Sequence, residues 1–501
     1  MAIDEWISAH ANSDRCAFHF EGASITYREL NDRIDATATT LMADGVGVGD
    51  RVAYCGLNRV EVFDLLFACA RLGAILLPLN NRLSVGELSW QIADSTPAVL
   101  LSTDGFDQLL VAASGGRPVQ DLDAGRVATR PIGEVRTTTR AAGISSAANA
   151  HAGIDVLMVY TSGTTGTPKG AVLTQGALLH TVLNGLAYSG LDGSDTVIAA
   201  LPTFHVGGLN IQTLPALYCG AQVVLHRRFD PQLVLRDIAA FRPTQTLLVP
   251  AMLAAVAGHP EFANTDLSCL EGVSTGSSVV PEALMAPFFE RGVPVAQVYG
   301  ATETGPTAIA MPLAEAVDHP TSCGRAAAHT EARIVDVESG EDVPTGEEGE
   351  IWLRGPHLFD RYWNNPEATA EAFSGEWYRT GDIGFTDELG YFWVSDRLGD
   401  MVISGGENVY PAEVEPVLAE HPDVAEVAVL GQPDDRWGEV VVAVVVAADP
   451  TKPPTVESLR SFSADRLAGY KQPRVVVVVG ELPKTALGKV QKHVVRDRLG
   501  Y

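Results

Sequence analysis

Residues 156–159, Val-Leu-Met-Val, run without a spacer into Tyr160-Thr161-Ser162-Gly163-Thr164-Thr165-Gly166-Thr167-Pro168-Lys169-Gly170. A short apolar run with this abrupt end reads as a buried strand. The ten residues after Tyr160 are all hydroxylic, glycine, proline or lysine. Such a loop offers backbone N–H groups without Cβ obstruction, several hydroxyl donors and one cation, which are the parts needed to hold a polyphosphate. It is not a Walker loop, because Gly-x-x-x-x-Gly-Lys-Ser/Thr is absent and Pro168 precedes the lysine.

The flanking sequence alternates helical and strand patterns. Thr26 and Glu29 have the spacing of a capping box, opening a helix that should end before Gly45. Residues 51–55 read as a strand, 60–72 as an amphipathic helix and 74–79 as another strand. Strand–helix–strand with short connections implies a parallel sheet. Residues 103–153 look less regular, with 137–153 as a small-residue surface connection. After the loop, short apolar strands are expected at 197–200, 222–226, 245–249, 272–275 and 295–298. From about Thr330 the texture becomes antiparallel, with strands at 332–337, 350–354 and 391–394 separated by Gly and acidic turns.

The clearest boundary lies at Asp396-Arg397. Beyond it about a hundred residues show their own α+β pattern: helix 414–420, strand 426–430, strand 440–447, helix 456–467 and strand 475–479. The expected class is therefore α/β. It has a large N-terminal domain, residues 1–395, of parallel-rich βαβ sheets plus a β subdomain. A small C-terminal α+β domain, residues 396–501, follows.

Composition narrows the partners. With 35 basic and 62 acidic residues the net charge is 35 − 62 = −27, which argues against nucleic acid or an anionic membrane. An anionic substrate must then be met by a local positive patch. The six cysteines have no paired spacing and fit reduced thiols rather than a disulfide framework or a zinc site. The first residues lack the charge and apolar core of a signal peptide. The longest apolar run, 440–448, is far short of a membrane span. A soluble, cytoplasmic protein is expected.

Several other stretches combine groups suited to chemistry. Leu201-Pro202-Thr203-Phe204-His205-Val206-Gly207-Gly208 sets a histidine between an aromatic ring and two glycines that let a ligand approach the backbone. Gln297-Val298-Tyr299-Gly300-Ala301-Thr302-Glu303-Thr304 offers a ring face for a purine and hard oxygens for magnesium. Tyr378-Arg379-Thr380-Gly381-Asp382 ends in a carboxylate able to accept from two vicinal hydroxyls. Asp396–Glu415 forms a long glycine-bearing segment, and Lys489 closes Leu482-Pro483-Lys484-Thr485-Ala486-Leu487-Gly488-Lys489.

Together, in this order, these motifs resemble the adenylate-forming superfamily of acyl- and aryl-CoA synthetases, peptide-synthetase adenylation domains and firefly-type luciferases, and the resemblance spans nearly the whole chain. It implies a mobile C-terminal domain and the substrates ATP, Mg²⁺ and coenzyme A. It assigns ATP to Thr161, Ser162, Gly163, Thr164, Thr165, Lys169, Gly276, Ser277, Val298, Tyr299, Gly300, Thr302, Asp382 and Arg397. Tyr299 stacks on adenine, Asp382 binds ribose, and Glu303 with Thr302 holds the metal. The acid pocket falls to Phe204, His205, Val206, Gly207, Thr275, Ala301, Gly305 and Pro306. Gly405, Gly406 and Glu407 flank the pantetheine tunnel, Lys471 contacts CoA phosphate, and Asp396 is the hinge. Lys489 bridges the attacking carboxylate and the α-phosphate, so Lys489, His205 and Glu303 are the catalytic candidates.

The sequence departs from the family pattern at Ser274-Thr275-Gly276-Ser277-Ser278, where relatives often show Gly-Gly-Ala-Pro, and at Gly399, where they often carry Lys. His205 stands where amino-acid-activating relatives place Asp, which disfavours amino acids. The pocket residues are small and apolar, suiting an uncharged aromatic (cinnamate- or benzoate-like) or medium-chain acid. Only Arg291 and His226 are cationic candidates for a second carboxylate. The expected reaction is adenylation followed by thioester formation. Rival readings are loading of a separate carrier-protein thiol, a luciferase-like oxygenase and a non-enzymatic nucleotide-binding module. A homodimer is common in such families.

Overall fold

The computed structural model describes residues 3–123, 152–162, 167–277, 280, 282–397, 402–483, 490 and 492–501. The chain forms two compact units. The first comprises Met1–Asn81, Asp94–Val159 and Gly170–Asp396, and the second Arg82–Ala93, Tyr160–Lys169 and Arg397–Tyr501. The late cut thus falls between Asp396 and Arg397, one residue after the expected start of the second domain, and two short earlier segments group with the C-terminal residues.

Helix Tyr27–Ala43 opens as its sequence requires. The Thr26 hydroxyl accepts the Glu29 N–H, while the Glu29 carboxylate accepts the Thr26 N–H at 2.8 Å. Strand Arg51–Cys55 and helix Val60–Leu72 occupy the expected residues. Strand Ile75–Leu79 follows and pairs parallel with Arg51–Cys55. These strands belong to a seven-stranded sheet that also contains Asp155–Ser162 and Pro168–Thr174. The region expected to be irregular holds helix Asp107–Ala113 and a short strand, Gln120–Asp121. Residues 124–151, which include most of the predicted surface connection, lie outside the described residues.

The nine-stranded sheet positions most of the candidate residues. Its parallel centre runs, in spatial order, Val295–Tyr299, Gly272–Gly276, Gln245–Leu247, Thr196–Ala199, Gln222–Leu225 and Cys16–Phe20. From Thr196–Ala199 the chain adds its next strand on one side and the following strand on the other, so the strand order reverses there. Open α/β sheets bind ligands at such a reversal, outside the carboxyl ends of the strands. The strand at 245 stops at Leu247, short of the expected Val249. Val249 instead precedes a helix with Pro250 at its first position, where a missing N–H costs nothing.

An antiparallel sheet of Glu331–Val335, Gly349–Arg354, Trp377–Thr386 and Phe373–Ser374 forms the β subdomain. In the second unit, Gly438–Ala447 is the central strand of a five-stranded sheet. Val441, Ala443 and Val445 pack on one side with Val414, Leu418 and Leu459. Val442 and Val444 pack on the other with Leu482 and Val495. A strand covered on both faces reads as an unbroken apolar run, as it does in the sequence.

Removing the Thr26 cap tests how local signals anchor the first unit. Thr26→Ala should cost about 1 kcal/mol, lowering the denaturation midpoint of that unit without changing the slope. No shift would show that strand Ala23–Thr26, and not the cap, fixes the start of the helix.

Candidate active site

The carboxyl ends of the parallel strands carry the candidate residues. Gly276 ends its strand so close to the neighbouring one that a Cβ would lie 2.4 Å from the Val298 carbonyl oxygen. Ser277 follows with φ +74°, a left-handed conformation costly for any side chain. Thr275 is fully buried, and its hydroxyl has no hydrogen-bond partner among the described residues. Ser274, on the opposite face, bonds the Tyr188 hydroxyl at 3.3 Å.

Tyr299 ends the next strand, and its hydroxyl donates to Asp382 Oδ2 at 2.7 Å. This joins two motifs 83 residues apart. Beyond Tyr299 the chain turns tightly, with the Ala301 N–H bonded to the Thr304 hydroxyl at 2.7 Å. The turn leaves the Glu303 carboxylate buried, where Tyr362 donates a hydrogen bond to Oε1 at 3.0 Å. Burial and the Glu303 charge push the Tyr362 pKa far up, so its phenol stays a donor. Glu303 and its sequence neighbour Thr302 offer only oxygen atoms, the donor type that magnesium takes.

His205 has extended backbone and precedes helix Val206–Asn210, and its ring lies 4.7 Å from that of Phe204. Buried Asn58, from the turn before helix Val60–Leu72, fixes the approach to it. The Asn58 amide donates to the Leu201 carbonyl at 2.8 Å and the His226 carbonyl at 3.0 Å, and accepts the Thr203 N–H at 2.8 Å. Sequence alone offered no signal for Asn58, because its partners lie 143 to 168 residues away. Asn210 and Gln212 are also buried, and their side-chain amides lack partners among the described residues.

Both side chains considered for a second carboxylate bond to protein groups, although His226 Nδ1 is buried without a partner among the described residues. His226 is buried and bonded through Nε2 to Asp237 at 3.0 Å. Arg291 donates to the Phe262 and Thr265 carbonyls and covers the Phe262 ring.

In the second unit Gly405 lies against Trp437, and its N–H donates to the Trp437 carbonyl at 2.7 Å. Glu407 is buried and paired with Arg82. Lys471 is not exposed to a phosphate. Its ammonium is buried between Glu413 at 2.6 Å and Glu87 at 2.7 Å. Burial opposes its charge, but the Tyr470 ring and the two carboxylates hold its pKa above the ordinary lysine range. Exposed Arg436 and half-buried Arg474 stand by Trp437, their guanidiniums 5.0 and 4.1 Å from its ring. Burial and the charges of Arg460 and Arg436 lower the Arg474 pKa. Gly163, Thr164, Thr165 and Lys489 lie outside the described residues, as do the side chains of Ser162, Asp396 and Arg397.

Residues 6–363 match the model of the AMP-binding enzyme family, and residues 413–489 that of the AMP-binding enzyme C-terminal domain. The chain belongs to the AMP-binding enzyme family. Among AMP-binding enzymes it is 43% identical to an indoleacetate–CoA ligase of Aromatoleum aromaticum, over 99% of this chain and 98% of that one. It is 41% identical to a feruloyl-CoA synthase of an Amycolatopsis species, over 99% and 97%. The o-succinylbenzoate CoA synthetase of Bacillus subtilis, solved with a product analogue, superposes with a TM-score of 0.86 at 31% identity, over 98% of each chain. The chain is accordingly an enzyme, an acyl/aryl-CoA synthetase of the adenylate-forming superfamily. No helix among the described residues is long and apolar enough to cross a membrane.

Replacing Lys471 should damage stability before chemistry. Lys471→Met strands two buried carboxylates and should cost about 3 kcal/mol or more, read as a lower melting temperature of the second unit. A stable variant whose only defect is a raised KM for CoA would restore the phosphate-contact role.

Proposed function

We propose that this enzyme uses ATP to activate a carboxylic acid with an uncharged aromatic tail as its acyl-adenylate, then transfers the acyl group to the thiol of coenzyme A. The observation that carries the nucleotide half is the Tyr299–Asp382 hydrogen bond. A purine-sized aromatic face beside a carboxylate suited to ribose, at the carboxyl edge of the parallel sheet, supports nucleotide binding there.

A carboxylate is a poor acylating agent because its leaving group is oxide, and AMP transfer replaces that with a good one. Joining two anions requires neutralisation. Lys489 supplies it at the α-phosphate, the 161–170 loop donors at the outer phosphates, and Glu303 with Thr302 would hold Mg²⁺. A bound magnesium ion would offset phosphate charge. Loss of one such contact in a desolvated site costs about 10²–10³ in rate.

Two features favour the aromatic acid. This face of the sheet carries apolar Tyr188, Leu201, Ile211, Val249 and Val298, and of the two candidates for a second carboxylate Arg291 is engaged by backbone carbonyls and His226 by Asp237 through Nε2, with only the buried Nδ1 of His226 lacking a partner among the described residues. The partnerless side-chain amide of buried Asn210 suits a neutral hydrogen-bonding substituent on the ring. Indoleacetate and ferulate, the acids in the relatives' names, have that chemistry. For the thiol half, Arg436, Trp437 and Arg474 offer charge and a ring face to the phosphates and adenine of CoA. This role replaces the one first given to Lys471. Asp396 serves as the hinge by which Lys489 withdraws before the thiol enters.

Lys489→Ala should abolish acid-dependent pyrophosphate release by 10²-fold or more, on the order of a lost oxyanion contact. It should leave thioester formation from supplied acyl-adenylate largely intact, and equal loss of both steps would end this division of labour. Asp396→Pro should slow thioester formation more than adenylation. The direct test of the whole reading is mass spectrometry with ATP, Mg²⁺, CoA and a panel of indoleacetate, cinnamates, benzoates, fatty acids and dicarboxylates. A dominant aryl-CoA supports it. AMP and pyrophosphate without CoA thioester would move the acceptor to a carrier protein.

A further inference from the structure

The strand bearing Asp382 is interrupted at that residue. Glu350 faces Ile383 across the ladder, and Trp352 faces Arg379. Two steps along Gly349–Arg354 therefore correspond to four along Trp377–Thr386 (352 − 350 = 2; 383 − 379 = 4), so two extra residues bulge out around Thr380-Gly381-Asp382. Bulges re-aim side chains and leave backbone groups without ladder partners. Here side chains take up those groups. The Thr380 hydroxyl donates to the Ile351 carbonyl at 2.7 Å and accepts the Asp382 N–H at 3.0 Å. The Gly381 N–H, at a residue with φ +71°, is accepted by Glu350 Oε1 at 3.0 Å.

Glu350 is 2% exposed, an unusual place for a carboxylate unless it is held. Its second oxygen accepts the Trp352 indole N–H at 2.8 Å, and Arg379 Nε stands 3.7 Å away as counter-charge. Trp352 is itself flanked by guanidiniums, with Arg333 4.9 Å and Arg379 5.8 Å from its ring. The carboxylate thus ties the bulge to a rigid aromatic–cation array on one face of the β subdomain.

We infer that Glu350 is a positioning residue for nucleotide recognition: its carboxylate sets the bulge that aims Asp382 at the ribose hydroxyls. The inference rests on the ribose role of Asp382 proposed above. It makes an unusual demand on the side chain. Both partners of Glu350 are N–H donors, so an acceptor is needed at each oxygen. Glutamine, though the same shape, must turn an NH₂ toward one of them, leaving a donor facing a donor in a buried site.

The test is calorimetric binding of ATP, 2′-deoxy-ATP and 3′-deoxy-ATP, with Mg²⁺ and without any acid, to the full-length protein and its Glu350→Gln, Trp352→Phe and Asp382→Ala variants. The unaltered protein should prefer ATP over at least one deoxy form by on the order of 10-fold or more, as for a hydrogen bond to a charged group. Glu350→Gln should lose about tenfold of that preference, in keeping with a small misplacement of the contact. Trp352→Phe, which frees one carboxylate oxygen, should shift it in the same direction by a smaller factor, and it carries the test if Glu350→Gln does not fold. A uniform weakening of all three nucleotides would make Glu350 merely structural and overturn the inference. So would an unchanged preference in either Glu350→Gln or Trp352→Phe while Asp382→Ala abolishes it. An unchanged preference in Asp382→Ala would instead remove the ribose reading itself, and the inference with it.

Discussion

Strands laid parallel finish on one edge of their sheet, and where their order reverses two loops part and leave a crevice there. The nine-stranded sheet reverses at Thr196–Ala199. The segment leading to His205, the Gly276 turn and Tyr299 all begin where neighbouring strands stop. Residues far apart in sequence are thereby delivered to one edge without any long-range signal between them. Asp382 arrives from a different sheet, and the Tyr299 hydroxyl joins it to this edge.

The two acidic residues of the site are handled alike. Glu303 accepts from Tyr362, and Asp382 from Tyr299. A phenol is a neutral donor that holds a carboxylate in place without cancelling its charge, whereas an arginine would compete with a cation or a sugar hydroxyl. Elsewhere the protein pairs carboxylates directly with a cation, as where Glu87 and Glu413 share Lys471. The acidic surface of the chain makes this distinction matter, because positive charge is scarce and must be concentrated, as around Trp437.

What could be read from sequence was what local physics decides. The Thr26 cap, helix Val60–Leu72 and the valine-rich strand each carry their own signal within a few residues. The turn motifs named Tyr299, Glu303 and Asp382 because a ligand-facing loop needs those residue types wherever the loop goes. Asn58, Tyr362 and Glu350 were invisible because each is an ordinary polar or aromatic residue whose partner is set by tertiary packing. The burial of Lys471 was hidden for the same reason. A lysine on a loop is ordinarily solvated, and only the fold shows two carboxylates closing over it.

The alternating burial of Val440–Val445 has a consequence during synthesis. Its one flank is covered by helix Pro411–Ala419, made earlier, but the other waits for Leu482 and for Val495 in helix Lys492–Leu499. Until those residues emerge from the ribosome, a run of β-branched side chains without a single charge lies open on one side. Such a run is a template for intermolecular pairing. Covering that face is therefore a task of helix Lys492–Leu499 that is separate from any part it takes in catalysis.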